Sequence, residues 1–385
     1  MKDTTRLIHS RGQRLDAKTV NPPIERASTV LLPDREQLYA AKPGYGRMGL
    51  AVHRELEQAL CLIEGAEAAR LTTNGLQACA LAIAAVVEAG DHILISDSVY
   101  GPTRRFCERR LSTMGIEVTR FEPTASPATL ETHIKPTTRA ILLESPGSLT
   151  FEIMDTPALT AFANAHGLVT IMDNTWGAGL LHQPLDLGVD LSVQALTKYA
   201  VGHADAFGGA VMSRDPRLTA KVAACSEDWG ISLSPDDAYA ALRGLRTLEV
   251  RIKAHEAAAY QVADWLSERA EVARVLHPGR ADHPQHALWK RDFNGANGLF
   301  GAVFHAMDDT ALDRFLSALR LFGLGFSWGG YESLVIPCCE QLNRRPDSPW
   351  QSREGPLMRF HIGLETPEDL IADLQQAFTA ATCVP

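Results

Sequence analysis

From His53 onward the apolar positions alternate between helical and strand-like spacing. Leu56, Ala59, Leu60 and Ile63 form a helical stripe within His53 to Glu64, and Gly75 to Ala89 predicts a second helix that ends at Gly90. Short, nearly all-apolar runs follow at 92–96, 116–121, 140–144, 168–172 and 191–193, with helices predicted over 103–114, 127–134 and 156–166. Such strands, alternating with helices, describe a largely parallel sheet covered on both faces. The run Phe207 to Met212 closes this unit. After Pro235 a long helical stretch reaches Arg269, with a weak point expected at Gly244. Strands near 272–276, 299–305 and 357–362 and a last helix over 367–379 read as α+β. The fold class is therefore α/β, with a large mostly parallel sheet domain and a smaller C-terminal α+β domain. The boundary falls near 240–250, giving an arm over 1–50, an α/β domain over 51–243 and a C-terminal domain over 244–385. The first 50 residues are polar and rich in Pro and Gly, too poor in apolar side chains to bury a core. They predict an arm that lies on another surface, such as a neighbouring subunit.

Composition narrows the function classes. Hydrophobic residues make up 45% and charged residues 22% of the 385, ordinary for a soluble globular protein. A net charge of -9 argues against a general nucleic-acid grip, which needs clustered Lys and Arg to neutralise phosphates. The longest apolar stretch, Leu76 to Val87, falls short of the ~18–20 residues a membrane helix needs. The start, Met1-Lys-Asp-Thr-Thr-Arg, lacks the apolar core of a secretory signal. Seven scattered cysteines without a CxxC pair predict reduced thiols and a cytoplasmic location. No metal is expected, because His283-Pro-Gln-His286 has no third ligand nearby and is expected at the surface.

Gly44-Tyr-Gly-Arg-Met-Gly49 matches the dinucleotide fingerprint, but Lys42-Pro43 and a polar segment stand where a strand is required. A loop presenting Tyr45 and Arg47 accounts for it better. Thr72-Thr-Asn-Gly-Leu-Gln77 precedes a helix, where free N–H groups and the helix dipole can hold a phosphate. Taken alone, a plain capped helix start is the better reading of the same residues. Asp173 ends an apolar strand, a place for a carboxylate that holds a protonated heterocycle, or for a simple turn. Lys198 follows the next strand, where a buried amine becomes a nucleophile toward carbonyls and an exposed one does nothing. Taken together and in this order, the three are what a pyridoxal phosphate site requires: a phosphate cradle, an acid beside the pyridine nitrogen and a lysine for the aldehyde.

Longer motifs carry a resemblance. Tyr45-Gly-Arg47, Ser98-Val-Tyr-Gly101, Glu144-Ser-Pro-Gly-Ser-Leu-Thr150, Asp173-Asn-Thr-Trp176, Thr197-Lys-Tyr-Ala-Val-Gly-His203, Arg243-Gly-Leu-Arg-Thr247, Ser327-Trp-Gly-Gly-Tyr-Glu-Ser-Leu334 and Arg359-Phe-His-Ile-Gly-Leu364 together resemble the Cys/Met-metabolism family of PLP enzymes, from about residue 5 to 378. The resemblance implies the PLP-dependent transferase-like fold, that is, aspartate aminotransferase fold type I, with pyridoxal 5'-phosphate as cofactor. It implies that Lys198 carries the cofactor, Asp173 pairs with its ring nitrogen and Tyr100 stacks on the ring. Gly75 and Leu76 N–H groups with the Thr197 hydroxyl bind the phosphate. Tyr45 and Arg47 reach the site of a neighbouring subunit, Tyr45 also touching substrate. Arg359 clamps the substrate α-carboxylate, helped by Ser327 and Trp328.

Within the family, Glu144 to Thr150 and Trp328 are most similar to the branch that removes sulfur from Cβ. That implies β-elimination of L-cystathionine, or of other cysteine S-conjugates or cystine, to homocysteine or another thiol, pyruvate and ammonia, a step of methionine synthesis. Lys198 would move the proton, with Tyr100 assisting. The γ-acting branches, which mostly carry a smaller residue in place of Trp328, are the alternative, and a PLP-binding regulatory protein without turnover is a third reading. The resemblance also implies a tetramer of paired dimers with shared sites, a small amino-acid substrate, and neither nucleic acid nor membrane as partner. Two departures stand out: Ala195 replaces the family's usual Ser three residues before the lysine, and Leu50-Ala-Val52 replaces a small-Pro-Thr run.

Overall fold

The computed structural model describes residues 5, 8, 20–40, 44–352 and 354–382. Much of the predicted arm therefore lies outside the described residues. Two sheets organise the rest. The large one has seven strands: β1 (Ala68–Thr72), β2 (His92–Ser96), β3 (Glu117–Phe121), β4 (Thr138–Glu144), β5 (Val169–Asp173), β6 (Leu191–Gln194) and β7 (Gly209–Ser213). Their spatial order is β1-β7-β6-β5-β4-β2-β3, with β7 antiparallel to both neighbours and the others parallel. The apolar runs sit where predicted because helices on both faces bury them; every residue of β2 and β7 is buried. β1 escaped the sequence pattern because Ala68-Ala-Arg-Leu-Thr72 is half polar, as suits an edge strand whose first three residues are only partly buried.

The second sheet contains β8 (Val272–Leu276), β9 (Leu299–Phe304), β10 (Gly323–Leu324), β11 (Leu334–Pro337) and β12 (Leu357–His361), in the order β10-β11-β12-β9-β8. β10 and β11 were not predicted; two and four residues are too short to show a period. One apolar cluster, including Leu56, Trp176, Tyr199, Leu276, Val303 and Leu357, joins the two sheets and fixes one against the other.

Four expectations need correction, the first being the helix from Gly75, which ends at Ala84 and not at Ala89. The helical stretch after Pro235 is two helices, Pro235–Leu245 and Leu248–Ser267, and Gly244 lies inside the first rather than breaking it. A Cβ on Gly244 would stand 2.2 Å from the Ala200 carbonyl, so glycine is there for close packing. The helix predicted over 103–114 begins at Gly101 and widens into π-helical turns over Phe106–Leu111. His283 is buried, not at the surface, and burial draws its pKa down to about 4. No metal-binding cluster occurs among the described residues.

Candidate active site

The carboxyl ends of β4, β5 and β6 open into a cavity of about 380 Å³, the position at which parallel sheets collect functional groups. Gly75, Leu76, Tyr100, Asp173, Thr197, Lys198, Ser327 and Trp328 all line it. A larger open groove of about 1070 Å³ runs along the small sheet, but among its lining residues are none of these groups, and it meets the cavity only at Phe326.

Helix Gly75–Ala84 aims its amino end at the cavity. Asn74 caps it, taking the Gln77 N–H on its side chain at 2.9 Å and the Ala78 N–H on its carbonyl. Gly75 and Leu76, in the first turn, have no intrahelical acceptor for their N–H groups. A Cβ on Gly75 would come within 2.3 Å of the Ala195 Cβ, so only glycine allows the helix start to touch the β6 exit. The Thr197 hydroxyl bonds to Gly208, accepting from its N–H at 3.2 Å.

Asp173 ends β5. Its Oδ1 accepts from the Thr175 N–H at 3.0 Å and from the Thr175 hydroxyl, and its Oδ2 lies 3.5 Å from the Cys79 thiol. Burial pushes its pKa up, while the Thr175 and Cys79 bonds and the nearby Lys198 charge oppose that. No cation lies within 4 Å of it among the described residues. Lys198 donates to the Ser327 hydroxyl at 3.1 Å and lies 5.2 Å from the Trp328 ring centre. Its pKa falls to about 8, chiefly through burial, with the Arg359 charge adding to the fall and Asp173 opposing it. The Tyr100 hydroxyl is shifted upward by burial, a shift that Arg359 reduces and Glu144 increases.

Arg359 does not line the cavity wall. It is buried on β12 behind Phe326, whose carbonyl accepts from it at 2.9 Å, and burial lowers its pKa. Tyr45 and Arg47 also lie apart from the cavity, on a 3₁₀ turn over Gly46–Met48. This turn leans on residues 27–29: Gly46 N–H donates to the Ser28 carbonyl, and a Cβ on Gly46 would strike the Ala27 carbonyl.

Three supporting residues escaped sequence reasoning. Glu144 pairs in register with Asp173 and takes the Tyr100 N–H at 2.6 Å; burial and the Asp173 charge raise its pKa well above the carboxylate range. Thr175, besides holding Asp173, accepts the Ala195 N–H at 2.9 Å and so ties the aspartate turn to the lysine segment. Glu64, fully buried, accepts from Asn174, Ser192 and Gln194, joining the ends of β5 and β6; burial lifts its pKa to about 7. An acidic residue closing an apolar strand was a readable signal for Glu144, while Glu64 offered only a carboxylate at the end of a helical stripe.

With this geometry in place, similarity to known proteins is informative. A sequence model described as Cys/Met metabolism PLP-dependent enzyme matches residues 4–379. A cystathionine beta-lyase of Bordetella avium is 43% identical, over 95% of this chain and 93% of its own length. An L-alanine/L-glutamate racemase of Wolbachia pipientis wMel is 36% identical, over 100% of this chain and 98% of its own. The crystal structure of cystathionine gamma synthase from Xanthomonas oryzae pv. oryzae, in complex with aminoacrylate and cysteine, matches with a TM-score of 0.92 and 29% identity, covering 99% of this chain and 98% of that one. The chain belongs to the Cys/Met-metabolism family of PLP-dependent enzymes, and it has the fold type I architecture that the sequence implied.

Proposed function

We propose that this chain is a PLP-dependent carbon–sulfur β-lyase that acts on L-cystathionine and releases homocysteine, pyruvate and ammonia. The observation that carries the reading is Lys198, a half-buried amine with its pKa lowered to about 8, placed in one cavity with the Asp173 carboxylate and the start of helix Gly75–Ala84. The cavity suits pyridoxal phosphate. The Gly75 and Leu76 N–H groups and the Thr197 hydroxyl would hold the phosphate, Asp173 the ring nitrogen and Lys198 the aldehyde carbon.

Bound there, the cofactor supplies an electron sink for negative charge developing at the substrate Cα. The chain's own residues do the rest. Asp173, held by Thr175, offers a fixed negative charge to a protonated ring nitrogen. Lys198 takes the Cα proton, and a pKa near 8 leaves over a hundredfold more neutral amine at neutral pH than an ordinary lysine near ~10.4 would have. Lys198 then returns a proton to the departing sulfur, with the Tyr100 hydroxyl at the same cavity wall assisting. Arg359, held at the Phe326 carbonyl, would take the substrate carboxylate, and Ser327 and Trp328 would shape the space beside Cβ.

Support for the β-acting branch comes from Trp328 over Lys198 and from the relatives named cystathionine beta-lyase. The arm, with Tyr45 and Arg47, fits a role at a neighbouring subunit's site, in a tetramer of paired dimers in the cytoplasm. We read the chain as an arm over 1–50, a cofactor domain over 51–243 and a C-terminal domain over 244–385, a division supported by the presence of two separate sheets. The test is to supply L-cystathionine to the PLP-loaded protein and identify the products. Pyruvate with homocysteine is expected. 2-Oxobutyrate with cysteine would place the enzyme in the γ-acting branch, and loss of optical activity from alanine without elimination would make it a racemase.

A further inference from the structure

Arg359 and His361 stand two residues apart on β12 and project from one face of the strand, while Met358, Phe360 and Ile362 enter the small-sheet core on the other. The shared face looks onto the loop 326–330. Arg359 grips its start through the Phe326 carbonyl. His361 meets its end: Nε2 lies 3.1 Å from the Gly329 amide nitrogen and 3.0 Å from the Gly330 carbonyl oxygen. Between the two grips lie Ser327, which accepts from Lys198, and Trp328, whose ring covers the amine and packs edge-on against Tyr199. Gly329 sits at φ +83°, and a Cβ there would stand 2.9 Å from the Tyr199 nitrogen and 3.1 Å from the Lys198 Cα. The turn is thus pressed against the lysine peptide from one side and held by His361 from the other.

The imidazole is buried beside His255, Tyr199, Arg359 and Lys198, and its pKa is drawn down to about 3, chiefly by burial and then by the His255 charge, so the ring is neutral. A neutral ring makes one bond at Nε2 at a time, accepting from Gly329 or donating to Gly330. Nδ1 is buried and has no partner among the described residues. Whatever the ring does for the loop, it does through Nε2.

We propose that His361 is a positioning residue that, through Nε2 alone, holds Ser327 and Trp328 against Lys198 and so keeps water from the lysine amine. The proposal rests on the reading of Lys198 as the cofactor lysine. Glutamine reaches with its amide where Nε2 stands, asparagine only where Nδ1 stands, and phenylalanine keeps the ring without either nitrogen. The readout is the pH dependence of the rate at which cofactor-free protein takes up pyridoxal phosphate, because only the neutral amine adds to an aldehyde. Asp173 and Arg359 face Lys198 from the other elements and are unchanged in every variant.

His361→Gln should keep the midpoint of wild type. His361→Asn and His361→Phe should move it upward by about one pH unit, as a loosened loop readmits water to the amine. Gly329→Ala, which displaces the turn with the histidine intact, should move it the same way and covers the case in which a histidine variant does not fold. Equal midpoints in all four variants, or a shift in Gln as large as in Asn, would overturn the proposal. Cystathionine turnover does not enter this measurement. A wild type that takes up the cofactor yet releases no pyruvate would overturn the β-lyase reading and leave the clamp to be decided by the uptake profiles.

Discussion

The two walls of the cavity are built on different terms. On the large-sheet side, Gly75 opens a helix, Asp173 ends β5 and Lys198 follows β6, each placed by the element it adjoins. Asp173 is held by Thr175, Gly75 by the Asn74 cap, and the β5 and β6 ends by Glu64. On the small-sheet side, Ser327 and Trp328 ride on a loop without regular structure, and one distant strand grips it at both ends. The first wall is set by sheet register and is stiff; the second is set by a few side-chain bonds and can be tuned. On the proposed function, cofactor chemistry would fall to the first and substrate choice to the second.

The largest expected effect breaks the stiff wall. Lys198→Ala removes the only amine at the cavity among the described residues and should lower pyruvate release from cystathionine at least ~10³-fold, the scale of a lost general base combined with lost attachment. Asp173→Asn keeps the shape but removes the charge. A loss of roughly 10²-fold in kcat is expected, with KM little changed, from steady-state rates on the same substrate. Arg359→Lys attacks the tunable wall. Replacing a planar fork by a point charge should raise KM for cystathionine by ~10-fold while kcat holds, since the bond serves ground state and transition state alike.

The smallest effect sharpens the contrast by restoring what this chain lacks. Ala195→Ser returns a hydroxyl next to the Gly75 helix start. It should tighten pyridoxal phosphate binding by about two- to tenfold, the worth of one hydrogen bond, in a fluorescence titration of cofactor-free protein. A substrate KM that moved while cofactor affinity did not would blur the division between the walls.

The same division explains what the sequence made legible. The stiff wall was readable because each of its residues follows an apolar strand or opens a helix, so local pattern placed Asp173, Lys198 and Gly75 without knowledge of contacts. The tunable wall was readable only through resemblance. Nothing in Leu357-Met-Arg-Phe-His361 says which loop Arg359 and His361 face, and β11, four residues long, left no pattern to show that a sheet edge carries the loop. Arg359 donates to the Phe326 carbonyl, a contact with a residue 33 positions away that no local pattern foretells. Glu64 was missed for a related reason: Gln194, one of its partners, lies 130 residues away, and the Thr175 link to Ala195 likewise spans 20 residues.

The central claim is that Lys198 is the group on which the stiff wall presents the cofactor. The most direct measurement is to load the protein with pyridoxal phosphate, reduce it with borohydride, digest it and locate the pyridoxyl group by mass spectrometry. The account predicts one modified peptide, with the group on Lys198. Modification of another lysine, with Lys198 recovered unmodified, would contradict it.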